Sequence, residues 1–357
     1  MIKKECFTAE WIEQVSSELH YNDKNLIEKV IRALSLLEML VKAGCPLVFK
    51  GGTALMLILG KSAHRLSIDI DLICPTGTNI EDYLKSFADF GFINLELVER
   101  KQRDDADIPK SHSKFFYQIA YRNDTDAQSY ILLDVLYEDI HYFRTQQIAI
   151  NCPFIRLEGK PLMVTVPSAE DILGDKLTAF APNTTGIPYY KNGRSCSMEI
   201  AKQLYDVGRL FENVSDLQIT KEAFRKIAVV ELSYRSFGTD IGQVFNDIRQ
   251  TALCISTRGK AGEGDFDLIQ DGIIRVKSFM YKQRYLIDHA IIDAARAAYL
   301  ATLIEKGINE IESYSNNPAD IKDMVIRPSL PNKLNKLRSN LPEAYYYWAK
   351  TSELLEA

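Results

Sequence analysis

A chain of 357 residues, 46% apolar, 25% charged and 10% aromatic, can bury a large core of its own, which excludes disorder, a collagen-like repeat and a small disulfide scaffold. The six cysteines (Cys6, Cys45, Cys74, Cys152, Cys196, Cys254) form no Cys-x-x-Cys, which argues against a zinc ribbon and suits reduced thiols in a cytoplasmic protein. A net charge of −5 excludes a globally basic nucleic-acid coat, and neither a secretory signal nor the roughly 18 apolar residues of a membrane span is found.

Along the first part of the chain helices and strands alternate. Residues 25–42 carry Leu26, Val30, Leu34, Leu37 and Val41 at helical spacing, and Gly44-Cys45-Pro46 stops them. A short buried strand, 47–49, runs into Gly51-Gly52, and 53–59 is apolar enough to be a helix packed on a sheet. Residues 66–73 alternate as a strand, 80–90 fit a helix, and 92–98, 115–121 and 130–137 read as further strands. Near Val164-Thr165-Val166-Pro167 the period becomes helical, at 169–180, 198–211, 221–230, 266–281 and 286–306. The expected organisation is a domain over 1–165 followed by a mainly helical domain over 166–357.

The densest constellation is Lys50-Gly51-Gly52-Thr53 followed by Arg65-Leu66-Ser67-Ile68-Asp69-Ile70-Asp71. Glycines between a strand and a helix let backbone approach a phosphate, and the helix N-terminus offers it free N–H groups. Two positions apart on an expected strand, Asp69 and Asp71 share a face, where a hard divalent cation would relieve their repulsion. Taken singly, the first is more often a plain turn and the second a solvated face; their order, with Gly52 seventeen residues before Asp69 across one helix, favours the functional reading. Asp134 is the only charge in 130–137, and such a charge is costly to bury. It lies either on an edge strand facing water or beside Asp69 and Asp71, where three carboxylates can hold two Mg²⁺ ions.

Other signals fail. Gly60-Lys61-Ser62 lacks the P-loop glycine, having Leu55 in its place, and there is no Gly-x-Ser-x-Gly. His20, His64, His112, His141 and His289 lack metal-ligand spacing and read as structural or exposed. Arg100, Lys101 and Arg103 are offset by Asp104, Asp105 and Asp107 and read as a solvated loop. Arg327, Lys333, Lys336 and Arg338, followed by Tyr345-Tyr346-Tyr347-Trp348, pair cations with aromatic faces as single-stranded RNA sites do, or form a solvated loop before a helix that buries its aromatics.

Gly-Gly-Thr-Ala-Leu, then Arg-x-Ser-x-Asp-x-Asp, then a lone Asp on a later strand resembles the AbiEii/AbiGii-type nucleotidyltransferases, toxins of bacterial type IV toxin–antitoxin and abortive-infection systems. Ser168-Ala-Glu-Asp-Ile-Leu-Gly-Asp-Lys176-Leu resembles the family's lysine-bearing helix. Lys202-Gln-Leu-Tyr-Asp206-Val resembles a second family helix, departing at Lys202 and Gln203 from the Arg-Asp common there. The resemblance spans about residues 45–212. It implies an α+β fold with a polymerase β-like minimal nucleotidyltransferase core, a mixed sheet with helices. It also implies Mg²⁺ or Mn²⁺ on Asp69, Asp71 and Asp134, and an NTP held by Lys50, Gly51, Gly52, Thr53, Arg65, Ser67 and Lys176. Asp206 would stand at the active-site rim as a base or as the partner of Lys176. The implied acceptor is RNA, a tRNA 3′ end first, with nucleotidylation of a protein hydroxyl or an inactive nucleotide- or RNA-binding module as alternatives. A cognate antitoxin would restrain the enzyme. Without the family, Lys176 reads as a snorkelling surface lysine and Asp206 as a helix-surface partner of Lys202.

Overall fold

The computed structural model describes residues 1–98, 110–121, 127–235, 238 and 240–357; the basic and acidic stretch from Arg100 to Asp107 lies outside them. The chain forms two compact units, 1–168 with 278–284, and 169–277 with 285–357.

The first unit opens with α1 (Ala9–Leu19) and α2 (Lys24–Lys42). Side chains of Thr8 and Asp23 accept from Trp11 N and Leu26 N, satisfying N–H groups that each helix start leaves free. The apolar stripe of α2 is buried as its spacing requires, and so are three of its charged residues. Glu28 pairs with Arg32 at 3.4 Å and accepts from Ala120 N, while Glu38 accepts from Ile2 N at 2.9 Å. Burial pushes both glutamates above the usual carboxylate range.

Next come β1 (Val48–Lys50), α3 (Gly51–Leu59), β2 (Ile70–Cys74), β3 (Asn94–Val98), β4 (Lys110–Gln118) and β5 (Gln128–Tyr137). They build a sheet of order β1-β2-β5-β4-β3, in which β2 and β5 run parallel and the other pairs antiparallel. β6 (Thr145–Ala149) and β7 (Met163–Pro167) form a separate antiparallel ribbon. Ile70, Leu72, Phe115, Tyr117, Ile131, Leu133 and Val135 fill the core on one face of the sheet.

Two expectations for this unit are corrected. The strand expected from residue 66 begins only at Ile70, because Arg65 bridges Met280 and Leu66 N donates to Phe279 O at 2.8 Å, so this stretch pairs with a distant segment. The helix expected over 80–90 is instead two 3₁₀ turns, Ile80–Tyr83 and Phe87–Phe90. Apolar residues three apart, as at Leu84, Phe87 and Phe90, line up on a 3₁₀ turn as readily as on an α-helix.

The second unit holds α4 (Ala169–Ala179), the short strands β8 (Tyr190–Lys191) and β9 (Arg194–Ser195), and helices α5 (Ser197–Phe211), α6 (Gln218–Tyr234), α7 (Ile241–Ser256), α8 (Phe266–Val276), α9 (Ile287–Lys306), α10 (Leu337–Asn340) and α11 (Pro342–Glu356). α9 is its axis. Six of its alanines (Ala290, Ala294, Ala295, Ala297, Ala298, Ala301) are fully buried, and such small side chains let α5, α7, α8 and α11 pack closely around it. The chain is thus α+β, a mixed sheet with helices and a mainly helical C-terminal region. Among the described residues no helix is long and apolar enough to cross a membrane.

Candidate active site

β1 ends at Lys50, which pairs in register with Asp71 of β2 and stands at the N-cap of α3. The turn into the helix is made by Gly51 at φ +79°, a left-handed conformation that any L side chain would strain. Space demands glycine as well. A Cβ on Gly51 would lie 2.1 Å from Asp71 Oδ2, and one on Gly52 would lie 2.7 Å from Ser67 Oγ and 2.8 Å from Arg65 Nη2. The side chains of Asp71, Ser67 and Arg65 therefore close over the start of α3, where N–H groups of the first turn carry the positive end of the helix dipole. Thr53 is fully buried and its hydroxyl donates to the carbonyl of Asp69 at 2.7 Å, fixing the stretch that carries the aspartates. Arg65 is also buried, and its Nη1 donates to Leu66 O at 3.0 Å.

In the parallel ladder Asp71 stands opposite Asp134, so the two carboxylates project from the same face of adjacent strands. β5 is an interior strand of the sheet, which removes the edge-strand reading of Asp134. Asp69 precedes β2 and is exposed, so the period-two argument covers Asp71 alone. Two further neighbours, not evident from sequence, stand at these carboxylates. His112 of β4 lies opposite Asp134, only 10% exposed, and its Nδ1 donates to Asp134 Oδ1. Lys29 of α2, half-buried, has its ammonium pKa lowered by burial, and Asp69 and Asp23 partly restore it. Histidine spacing along the chain could not reveal the first, because its partner is set by the β4–β5 register.

Among the described residues no three His, Cys, Asp or Glu side chains converge into a metal-binding group. The donor chemistry nonetheless fits a hard divalent cation: carboxylate oxygens, two of them in register on one face.

In the helical unit Lys176 of α4 is a buried residue, its side chain 9% exposed, so the surface reading is overturned. Its Nζ pairs with Asp206 Oδ2 of α5 at 3.1 Å and donates to Gln203 Oε1 at 3.0 Å. Asp206 is 2% exposed, which also removes its helix-surface reading. Gln203, one of the two departures from the family pattern, thus binds the lysine.

The basic-aromatic segment is corrected too. Tyr345, Tyr346, Tyr347 and Trp348 are all buried in α11, with Trp348 Nε1 donating to Ser256 Oγ at 3.0 Å, so these rings have no face for a base to stack on. Arg327 pairs with Glu356 at 3.6 Å, and Arg338 donates to the carbonyls of Ile321 and Lys322 while lying over the Tyr345 ring.

No curated protein matches the chain. Among solved structures, JHP933 from Helicobacter pylori is 17% identical with a TM-score of 0.42, the match covering 79% of this chain and 94% of that one. MenT4, the nucleotidyltransferase toxin Rv2826c from Mycobacterium tuberculosis H37Rv, is 12% identical with a TM-score of 0.46, over 82% of this chain and 89% of its own. Residues 34–319, most of the chain, match the family described as nucleotidyl transferase AbiEii toxin of type IV toxin–antitoxin systems. The chain belongs to the AbiEii nucleotidyltransferase toxin family.

Proposed function

We propose that this nucleotidyltransferase moves a nucleoside monophosphate from an NTP to a hydroxyl of an RNA acceptor, a tRNA 3′ end, and that the modification arrests growth unless a cognate antitoxin restrains it. The acceptor hydroxyl gives up its proton to solvent as its oxygen bonds to the α-phosphorus, the α–β phosphoanhydride bond breaks, and pyrophosphate leaves. The observation that carries this reading is the register of Lys50, Asp71 and Asp134 around the start of α3, which sets the free N–H groups of a helix start beside paired carboxylates. Family membership supports both the NTP and the antitoxin.

In this reading Asp69, Asp71 and Asp134 hold Mg²⁺ or Mn²⁺, which when bound neutralises phosphate charge and activates the acceptor hydroxyl. Gly51 and Gly52 let Asp71, Ser67 and Arg65 close on the start of α3, and Lys50, Arg65, Ser67 and the first-turn N–H groups face the phosphates. Thr53 keeps Asp69 in place through its carbonyl, and His112 orients Asp134 by donating from Nδ1. Lys176 serves the triphosphate as a compact positive charge, with Asp206 and Gln203 fixing its position. The test is incubation with each α-³²P-labelled NTP, Mg²⁺ and either total RNA or protein extract, resolved on gels. Label on RNA supports the reading, and label on protein replaces the acceptor with a protein hydroxyl. With no label on either, transfer to these acceptors is refuted.

A further inference from the structure

The helical unit contains a cavity of about 470 Å³ whose rim carries Arg258, Lys260, Lys333 and Lys336. We propose that this cleft binds the phosphodiester backbone of the RNA acceptor; the proposal rests on the RNA reading above and adds the surface that holds the strand.

The charge of the cleft suits a polyanion. The only acid lining the cleft, Asp288, pairs with Arg258 at 3.0 Å, and no carboxylate pairs with Lys260, Lys333 or Lys336 among the described residues. Three uncompensated cations thus gather on a chain whose net charge is −5. Such clustering costs mutual repulsion and is relieved by a polyanion. The segments are held together, since Lys333 Nζ donates to Lys260 O and so ties the loop after α7 to the stretch before α10.

The size of the cleft suits more than a single ion. A lone phosphate needs far less room, whereas pockets for molecules the size of a nucleotide run to roughly 300–1,000 Å³. Ile291, Leu337 and Leu341 give the cleft an apolar floor against which a ribose or base can rest while phosphates meet the rim. Lys333 and Lys336 belong to the basic run visible in the sequence, but their companions here come from Arg258 and Lys260 rather than from Arg327 and Arg338.

The test compares the full-length wild type with Lys260→Gln/Lys333→Gln/Lys336→Gln, and with a control carrying the same charge change at exposed positions outside the cleft, Lys277→Gln/Lys306→Gln/Lys322→Gln. Binding of a fluorescein-labelled single-stranded RNA 20-mer is followed by anisotropy across a salt series, and ATP and GTP binding by calorimetry. Each lost contact to a single strand removes about 0.7 from the slope of log K against log salt, so three remove about 2 and weaken binding about a hundredfold at 0.1 M salt. The expected result is that loss in the cleft variant, little change in the control, and unchanged nucleotide binding. Equal RNA affinity for the cleft variant and wild type overturns the proposal while leaving the RNA acceptor reading in place. It is likewise overturned by an equal loss in the control, by a parallel loss of nucleotide affinity, which would make the cleft a nucleotide site, or by an intact RNA affinity with lost binding of a poly-glutamate peptide, which would assign it to an acidic protein. No RNA binding by the wild type overturns the acceptor reading itself, and the cleft proposal with it.

Discussion

Replacing Lys176 tests two roles at once, and a double variant separates them. At 3.1 Å and an effective dielectric constant of about 20, the attraction between Lys176 and Asp206 is about 5 kcal/mol, most of which offsets the desolvation of two charges beneath the surface. Lys176→Met removes that offset from a carboxylate only 2% exposed, so the helical unit should lose about 3 kcal/mol. With a urea m-value of about 2 kcal/mol per molar, the midpoint falls by about 1.5 M. Lys176→Met/Asp206→Leu exchanges the pair for apolar groups and should recover most of the loss, giving a coupling of up to about 3 kcal/mol. The chain's two tryptophans make the assay local: Trp11 lies in the first unit and Trp348 in the second, so Trp348 fluorescence in a Trp11→Phe background reports the helical unit. Nucleotide transfer should be lost in both variants. If Lys176→Met shifts the midpoint by less than about 0.3 M, the ammonium is not held by a buried pair and the structural half of the argument is wrong; if the double variant regains transfer together with stability, the catalytic half is.

Further outcomes follow from the first unit. Asp71→Asn should reduce transfer at least about a hundredfold while stability holds or rises, because a like charge opposite Asp134 is relieved; near-normal transfer in Mg²⁺ would unseat the carboxylate assignment. Gly51→Ala and Gly44→Ala carry the same left-handed cost of about 1–2 kcal/mol, but only the former drives a methyl into Asp71, so only it should lose transfer; equal activity in the two variants would refute the close approach. His112→Ala should lower transfer about ten- to hundredfold, and His112→Asn, whose amide can donate from nearly the position of Nδ1, should keep most of it; two equally impaired variants would mean that the ring packs rather than orients. Glu38 has its folded pKa raised by burial above the ordinary glutamate value of about 4.3, so the folded state holds the extra proton and stability falls as pH rises through that window. Urea midpoints of wild type and Glu38→Gln should therefore differ most in the variant's favour at neutral pH and converge in wild type's favour on acidification; a pH-independent difference would contradict this sign.

How far the sequence discloses the molecule depends on whether a signal is local. Periodicity places α2, α3, α5 and α9 because each presents a continuous apolar stripe, and α7 follows the same rule through Val244, Phe245, Ile248, Ala252 and Ile255, although the expected elements leave it out. The glycines of the β1–α3 turn and the position of Asp71 on a strand are legible for the same reason. What depends on distant pairing is not. The late start of β2 is caused by Met280 and Phe279, and the contact between His112 and Asp134 by cross-strand register. Burial of Lys176 comes from the packing of α4 on α5, and no charge pattern along either helix encodes it. The basic-aromatic segment misleads because aromatics adjacent in sequence can all be buried when helices surround them.

The return of residues 278–284 to the first unit sets a timetable for synthesis. Within that segment Phe279 O accepts from Leu66 N, Met280 bridges Arg65, Tyr281 N donates to His64 O, and the Tyr281 ring packs edge-on against Phe154 in the core. Arg65, beside the carboxylate-bearing strand, thus gains its backbone partner only once residue 280 has been made. A ribosome adding residues from the N-terminus cannot complete the first unit when residue 168 emerges; it must wait until residue 284 of 357 is free, after most of the helical unit has been made. A truncated product ending anywhere in the intervening helices carries all three aspartates but lacks the segment that pairs with the stretch leading to them. Every product that stops short of residue 278 therefore lacks part of the first unit.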